Sequence, residues 1–295
     1  MTDQLGYEVF LNQGPLQTTG LLPNGELRRF SPIASTLIRG RKQAVLTDPG
    51  FTITQADALA EWVAGKDVDV TDIVITHGHG DHWFAADVLA DWFGARIVAS
   101  PGTIAQMHAN AAARRLLWDT VYDDIPPSPV TAVPVPDNTL TLEGHELRIV
   151  DVGQTDIDDS TVLHVPDLGL VVAGDVIYNG AHQYVGSALG PDGFGPWRDA
   201  IAKVEALRPR RIVAGHQNRL GDDAVRTIAG TRRYLDVAEE FLRTKPTALD
   251  YFTAMIERYP DYAGRLILWA GAGVQYGVRE PSGIDRLKVV VSAWQ

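Results

Sequence analysis

Residues 76–83 read Thr76-His77-Gly78-His79-Gly80-Asp81-His82-Trp83. Three of the chain's eight histidines fall in this stretch, with an aspartate among them and two glycines between. Buried imidazoles need hydrogen-bond partners, so such a cluster is poor core material. Nitrogen and carboxylate-oxygen donors this close suit a metal ion: zinc, and also iron or manganese. Gly78 and Gly80 open backbone conformations closed to other residues, so the loop is expected to curl and aim His77, His79, Asp81 and His82 toward one centre. Ligands this dense on one loop would also serve two ions.

The apolar run before the cluster, residues 72–76, reads as a strand, and three other strands end on ligand-type residues. Residues 44–47 lead to Asp48, 170–173 to Asp175 and 211–214 to His216. Twice, a strand delivers an aspartate at its tip and the strand after the next helix delivers a histidine. In layered α/β folds such tips converge on one edge, where sites form. Further strands are expected at 34–38, 96–99 and 161–165. A hairpin joins 139–142 to 146–151 through Glu143-Gly144, and Pro23-Asn24-Gly25 is a second turn. Helical periodicity covers 54–64, 85–93, 103–118 and 197–207. Pro126-Pro127-Ser128-Pro129 reads as a rigid connector.

The motif His-x-His-x-Asp-His at 77–82 resembles the signature of the metallo-β-lactamase-fold hydrolases. Supporting residues follow in order: Thr47-Asp48-Pro49-Gly50, Ala173-Gly174-Asp175 and Ala214-Gly215-His216. The resemblance runs from the first strand to His216. It implies an α+β, four-layer αββα sandwich over residues 1–220, with the metal site at one edge of two sheets. It also implies ligand roles. His77 and His79 would bind a first ion with a third histidine from a later loop; Asp81, His82 and His216 would bind a second. Asp175 would bridge the two, and Asp48 would orient the histidine loop.

One position departs from the family. In Val152-Gly153-Gln154-Thr155-Asp156-Ile157-Asp158 a glutamine stands where the third histidine is expected. Gln154 is the candidate ligand there, with Asp156 and Asp158 as nearby substitutes. Because an amide oxygen is a weaker zinc ligand than imidazole, the first site is expected to be weak, altered or empty. One or two zinc ions are therefore implied, with iron or manganese also compatible.

The remaining histidines divide. His108 and His145 read as surface residues and His164 as a strand residue. His182 follows Asp175 by seven residues, so its loop should pass over the metal. Tyr178, His182 and Tyr184 are candidates to line a pocket, donate to a substrate oxygen, or replace the missing ligand. Trp83, Phe84 and Trp118 suggest a partly apolar pocket. Residues 190–195, glycine-rich but without a preceding strand or following lysine, read as a flap rather than a phosphate loop.

Metal binding lowers the pKa of a coordinated water toward ~7 and so supplies hydroxide at neutral pH. Asp81 is the residue expected to hold that hydroxide and pass its proton to the leaving group. The expected function is hydrolysis of a small neutral ester or lactone, lactonase-like, with a β-lactam also compatible. Two readings compete: a mononuclear iron oxidoreductase of the same fold, and a metal-poor binding protein that has lost catalysis.

Composition narrows the partners. The 295 residues carry 26 Lys and Arg against 37 Asp and Glu, a net charge of −11. Such a surface repels phosphate backbones, so no nucleic-acid partner is expected. The longest apolar run, 266–274, is too short to span a bilayer. Met1 to Gly20 lacks a basic start followed by an apolar run, and the chain has no cysteine. A cytoplasmic protein is the expectation. After Gly221 strands become sparse, and 222–243 and 247–259 read as helices. Residues 221–295 are expected to form a helical extension packed on the same domain, as a lid or as a homodimer interface.

Overall fold

The apolar runs alternate between two cores because strand side chains alternate between two faces. The computed structural model describes residues 5–187 and 192–278. Its N-terminal half contains β1 (Gly6–Asn12), a hairpin of β2 (Leu16–Leu21) and β3 (Leu27–Arg29), then β4 (Ile33–Arg39) and β5 (Gln43–Thr47). Helix α1 (Ile53–Ala64), β6 (Asp69–Val74), α2 (Ala86–Phe93), β7 (Arg96–Val98) and α3 (Pro101–Leu117) follow. Next come β8 (Thr139–Leu142), β9 (His145–Gly153), β10 (Ser160–Val165), β11 (Leu170–Val172) and β12 (Tyr178–Asn179). The described chain continues through α4 (Gly195–Ala206), β13 (Arg211–Val213), β14 (His216–Gln217), α5 (Arg226–Thr244), α6 (Ala248–Arg258) and α7 (Arg265–Tyr276).

One sheet runs β12-β14-β4-β5-β6-β7, with β1 also paired to β4; the other runs β13-β11-β10-β9-β8. Ala34, Ile38, Val45 and Val74 of the first meet Leu147, Ile149, Leu163, Leu170, Val172 and Val213 of the second in one buried cluster. Their neighbours Leu37, Leu46, Ile73, Val162, Val171 and Ile212 face the opposite way. They join Leu59 and Val63 of α1, Leu89 of α2 and Ile201 and Val204 of α4 in another. Strands buried on both faces and helices outside make the αββα sandwich.

Local signals place the helices. Thr52 caps α1 through Gln55 N, and the Gln55 side chain reaches back to complete a capping box. Ser100 caps α3, with Pro101 in its first turn. Such caps each contribute about 1 kcal/mol. Arg114 of α3 fastens the proline-rich connector, donating to Ile125 O at 3.0 Å and Ser128 Oγ at 2.9 Å.

Several expectations need amendment. Strands β1 and β2 were not foreseen, and of the first hairpin only its turn was. Helix α5 begins at Arg226 rather than Asp222, because the carbonyls of Asp222 and Asp223 are taken by Asn179 Nδ2 and Ile212 N. The apolar run at 266–274 is helix α7, which buries Leu266, Leu268, Trp269, Gly271, Ala272, Gly273 and Val274. Its Leu268 and Trp269 share a core with Tyr251, Phe252 and Met255 of α6 and with Val185. The flap expected at 190–195 lies partly outside the described residues, as does the end of the C-terminal extension. Among the described residues, no helix is long and apolar enough to cross a membrane.

The edge that carries the ligands follows from strand direction. Strands β5, β6 and β7 are mutually parallel, as are β11 and β13. Asp48, the 76–83 loop, Asp175 and His216 all follow carboxyl ends of these strands, so they share one rim.

Candidate metal centre

The cluster is built outward from Asp48. This residue leaves β5 with φ 44°, a left-handed conformation that aspartate tolerates better than most. Its carboxylate accepts Thr76 N at 2.9 Å on Oδ1 and Thr76 Oγ1 at 2.8 Å on Oδ2. Thr76 Oγ1 spends its proton on Asp48, so it accepts from His77 Nδ1 at 3.1 Å. That tautomer leaves the His77 Nε2 lone pair free. His82 Nδ1 stands 3.5 Å from Asp48 Oδ2, and His216 Nδ1 donates to Pro32 O at 2.8 Å. His77 and His216 are thus held by their outer nitrogens, His82 Nδ1 faces Asp48 without a hydrogen bond, and all three present Nε2 inward, as metal ligands do.

The inward atoms converge. Among the described residues, three groups hold ligand atoms within 4.8 Å of one another: His77 with His79 and Asp156, His77 with His82 and Asp175, and Asp81 with His82 and His216. Asp175 lies 3.2 Å from His82 Nε2 and 3.3 Å from His216 Nε2; Asp81 is 3.3 Å from each of the same two nitrogens. Asp156 Oδ2 is 3.0 Å from His79 Nδ1. Yet His77 Nε2, His82 Nε2, Asp156 Oδ2 and Asp175 Oδ1 are buried with no hydrogen bond. Orphaned polar atoms this close are costly unless something satisfies them all. A divalent cation does so, and nitrogen and oxygen donors fit zinc, iron or manganese.

Electrostatics point the same way. Burial alone would raise Asp81 and Asp175, but His82 and His216 beside them hold both carboxyls well below the usual range. Burial works against a charged His216, yet Asp175 and Asp81 lift it to about 10. His77 is pushed down to about 4, first by burial and then by His82. The cluster concentrates negative charge that protons or cations must balance.

The glycines act differently from expectation. Gly78 and Gly80 are not among the positive-φ residues; they are needed for space. A Cβ at Gly78 would sit 2.3 Å from Gln106 Cβ, and one at Gly80 would sit 2.2 Å from the Phe84 ring. Gly174 combines both demands, with φ 48° and a Cβ position 2.5 Å from Thr76 Oγ1. Gly174→Ala should therefore displace Thr76, and with it His77 and Asp48. We expect a loss of about 2–3 kcal/mol in urea unfolding and at least about tenfold weaker metal retention in dialysis. A wild-type unfolding midpoint would contradict this.

The other expected residues divide. Gln154, half-buried after β9, has no hydrogen bond or ion pair to the cluster among the described residues; Asp156, two positions on, is the one brought in. Trp83 and Phe84 do not line an opening: both are core residues, and Trp83 Nε1 braces the loop by donating to Gly78 O at 3.0 Å. Trp118 packs with Phe30, Phe51 and Phe84. Tyr178 reaches the cluster by donating to Asp175 Oδ2 at 2.5 Å and stacking on His216. Tyr184 meets the edge of His79. His108 is exposed, while His145 pairs with Asp167 at 2.5 Å. Thr76 and the Pro32 carbonyl were missed; no residue-type signal marks a backbone acceptor.

His182 is not brought to the histidine–aspartate cluster. Its ring lies between Tyr234 and Tyr262, with Nδ1 3.0 Å from Tyr234 Oη, and its backbone N–H donates to Ala263 O. Burial, with Arg265 adding to it, pushes His182 down to about 3. It stays neutral in the fold, whereas unfolded histidine titrates near 6.5. Its contribution is complete above that pH and declines as pH falls toward 3, because the unfolded chain then binds the extra proton. At pH 5 the loss is about 2 kcal/mol. Chelator-treated His182→Gln should show a shallower fall of Tm between pH 7 and 5 than chelator-treated wild type. Parallel curves would contradict the burial argument.

Comparison with known proteins agrees with this geometry. The sequence model of the Metallo-beta-lactamase superfamily matches residues 28–216. A UPF0173 metal-dependent hydrolase of Thermococcus kodakarensis is 31% identical over 196 residues, 64% of this chain and 84% of that protein. Two solved structures share the fold at 18% identity. A metallo-beta-lactamase family protein from Thermus thermophilus has a TM-score of 0.58, covering 91% of this chain and 94% of the other. A beta-lactamase domain protein from Burkholderia ambifaria has a TM-score of 0.59, covering 93% and 90%. The family match spans every strand tip that delivers a histidine or aspartate to the rim, and the chain belongs to the metallo-beta-lactamase superfamily.

Proposed function

We propose that this chain is a zinc-dependent hydrolase acting on a small neutral ester or lactone. The observation that carries the reading is the convergence of His77, His79, His82 and His216 with Asp81, Asp156 and Asp175, their inner atoms buried and orphaned. The relative described as a metal-dependent hydrolase supports the reaction class. Divalent ions held by these histidines and aspartates would supply Lewis acidity and make water a nucleophile at neutral pH.

The chain's own groups divide the remaining work. Asp81, held ionised by its histidine neighbours, is the acceptor for the proton released as water attacks, and passes it to the leaving oxygen. Tyr178 stays protonated, since burial and Asp175 both raise its hydroxyl, and fixes the orientation of Asp175. His79 is 20% exposed while the other cluster residues are nearly sealed, so substrate approaches past His79 and Tyr184. Among the described residues, the ion pairs of Asp81, Asp156 and Asp175 are all with imidazoles, which favours a neutral substrate over an anionic one.

Protein reconstituted with zinc is assayed on a panel of aryl esters and lactones. Saturable turnover, lost with chelator and restored by zinc, supports the reading. Bound iron with oxygen uptake, or no turnover across the panel, overturns it.

A further inference from the structure

His77 and His79 need a third partner. The loop after β9 offers Asp156, 1% exposed, and holds it firmly. Thr155 Oγ1 donates to Asp156 Oδ1 at 2.9 Å and lies 2.7 Å from Ser160 Oγ. Ser160 Oγ and Thr155 N both donate to Ile157 O, and Ser187 Oγ donates to the Asp156 carbonyl. One carboxylate oxygen is thereby tied into the loop. The other, Oδ2, is aimed at His79 Nδ1 from 3.0 Å without a hydrogen bond.

We propose that Asp156 is the third ligand of the first ion, so that both ions are held by the same kind of donor set. Each has two imidazoles and one carboxylate of its own, and they share Asp175. The first set is His77, His79 and Asp156; the second is His82, His216 and Asp81. Equal donor sets bind equal ions with similar strength. Exchanging an imidazole for a carboxylate also shifts the first site toward harder ions such as manganese. The competing reading makes Asp156 only the ion-pair partner of a protonated His79. This inference rests on the proposed metal centre but not on the substrate.

Metal-free protein is titrated with zinc and, separately, manganese, following bound equivalents by calorimetry and by metal analysis. We expect two zinc equivalents for wild type, with dissociation constants within about tenfold. Asp156→Ala should bind one, with the remaining affinity preserved, and the isosteric Asp156→Asn should do the same if the alanine variant fails to fold. Asp156→His should bind two whose zinc affinities separate by more than about tenfold, with weaker manganese binding. Asp158→Ala, altering an exposed neighbour, should behave as wild type. Two equivalents in Asp156→Asn at wild-type affinity, or one equivalent in wild type, overturns the proposal. Turnover is read in parallel. Two matched ions without turnover sinks the hydrolase reading alone, whereas turnover with a single ion sinks this one alone.

Discussion

Replacing His82 or His216 by alanine should lower kcat/KM for the proposed ester or lactone at least about a thousandfold, roughly 4 kcal/mol of transition-state stabilisation. Each imidazole presents Nε2 within 3.3 Å of both Asp81 and Asp175. Removing either would leave the proposed second ion two carboxylates and one nitrogen. The same change strips Asp81 of one of the two neighbours that keep it ionised. The residues also differ in a checkable way. His82 is fully buried in the short 3-10 turn Gly80–His82, whereas His216 sits on β14, stacked on Tyr178 and anchored to Pro32 O. His216→Ala should therefore also loosen Tyr178. Metal analysis should show about one equivalent lost in both variants, with circular dichroism unchanged. Near-wild-type turnover in both would refute the assignment of the second site.

The rim was legible because its signals are local. A histidine or aspartate at the end of an apolar strand needs no tertiary knowledge to be noticed, and parallel strands bring such ends together. The loop after β9 was less legible. Gln154 sits where a linear count puts the ligand, but register shifts between Ser160 and Thr161 where β10 pairs with β9. The intervening loop is held by its own hydroxyls, and it is Asp156 that comes inward. His182 was misplaced for a related reason. Seven residues after Asp175 suggested a loop over the metal. Instead β12 pairs with β14, and Ala181 bridges Ala263, which carries the chain away toward α7. Helix α7 itself escaped because it is apolar nearly all round, and a helix without a polar face shows no stripe to read.

Asp175→Asn should be the most damaging isosteric change in the molecule. The carboxylate faces His82 Nε2 at 3.2 Å through Oδ1, and through Oδ2 it faces His216 Nε2 at 3.3 Å, His77 Nε2 at 4.0 Å and the Tyr178 hydroxyl at 2.5 Å. An asparagine keeps the shape but must turn two hydrogens toward one of these sides. If the amide nitrogen takes the Oδ2 position, it can no longer accept the Tyr178 proton, which loses its buried acceptor. If it takes the Oδ1 position, it turns those hydrogens on the lone pair that His82 presents to a metal. In either orientation the carboxylate charge that two ions would share is lost. Zinc affinity at both sites should fall at least about a hundredfold and hydrolysis at least about a thousandfold. The metal-free protein should suffer as well. His216 and His82 hold the Asp175 carboxyl well below its usual range against the opposing effect of burial. A carboxyl depressed in the fold stabilises it above the unfolded pKa near 3.9, and that contribution is lost only as pH falls through the folded value. Neutral pH is therefore where the substitution costs most, about 3–5 kcal/mol for breaking a buried pair. Calorimetry of chelated protein at pH 7 should show Tm lowered by about 6–15 °C. Asp81→Asn supplies the contrast: it should weaken the second ion and spare the first. If Asp175→Asn retained two equivalents at wild-type affinity, Asp175 would not be shared, and the two ions would have to be held independently.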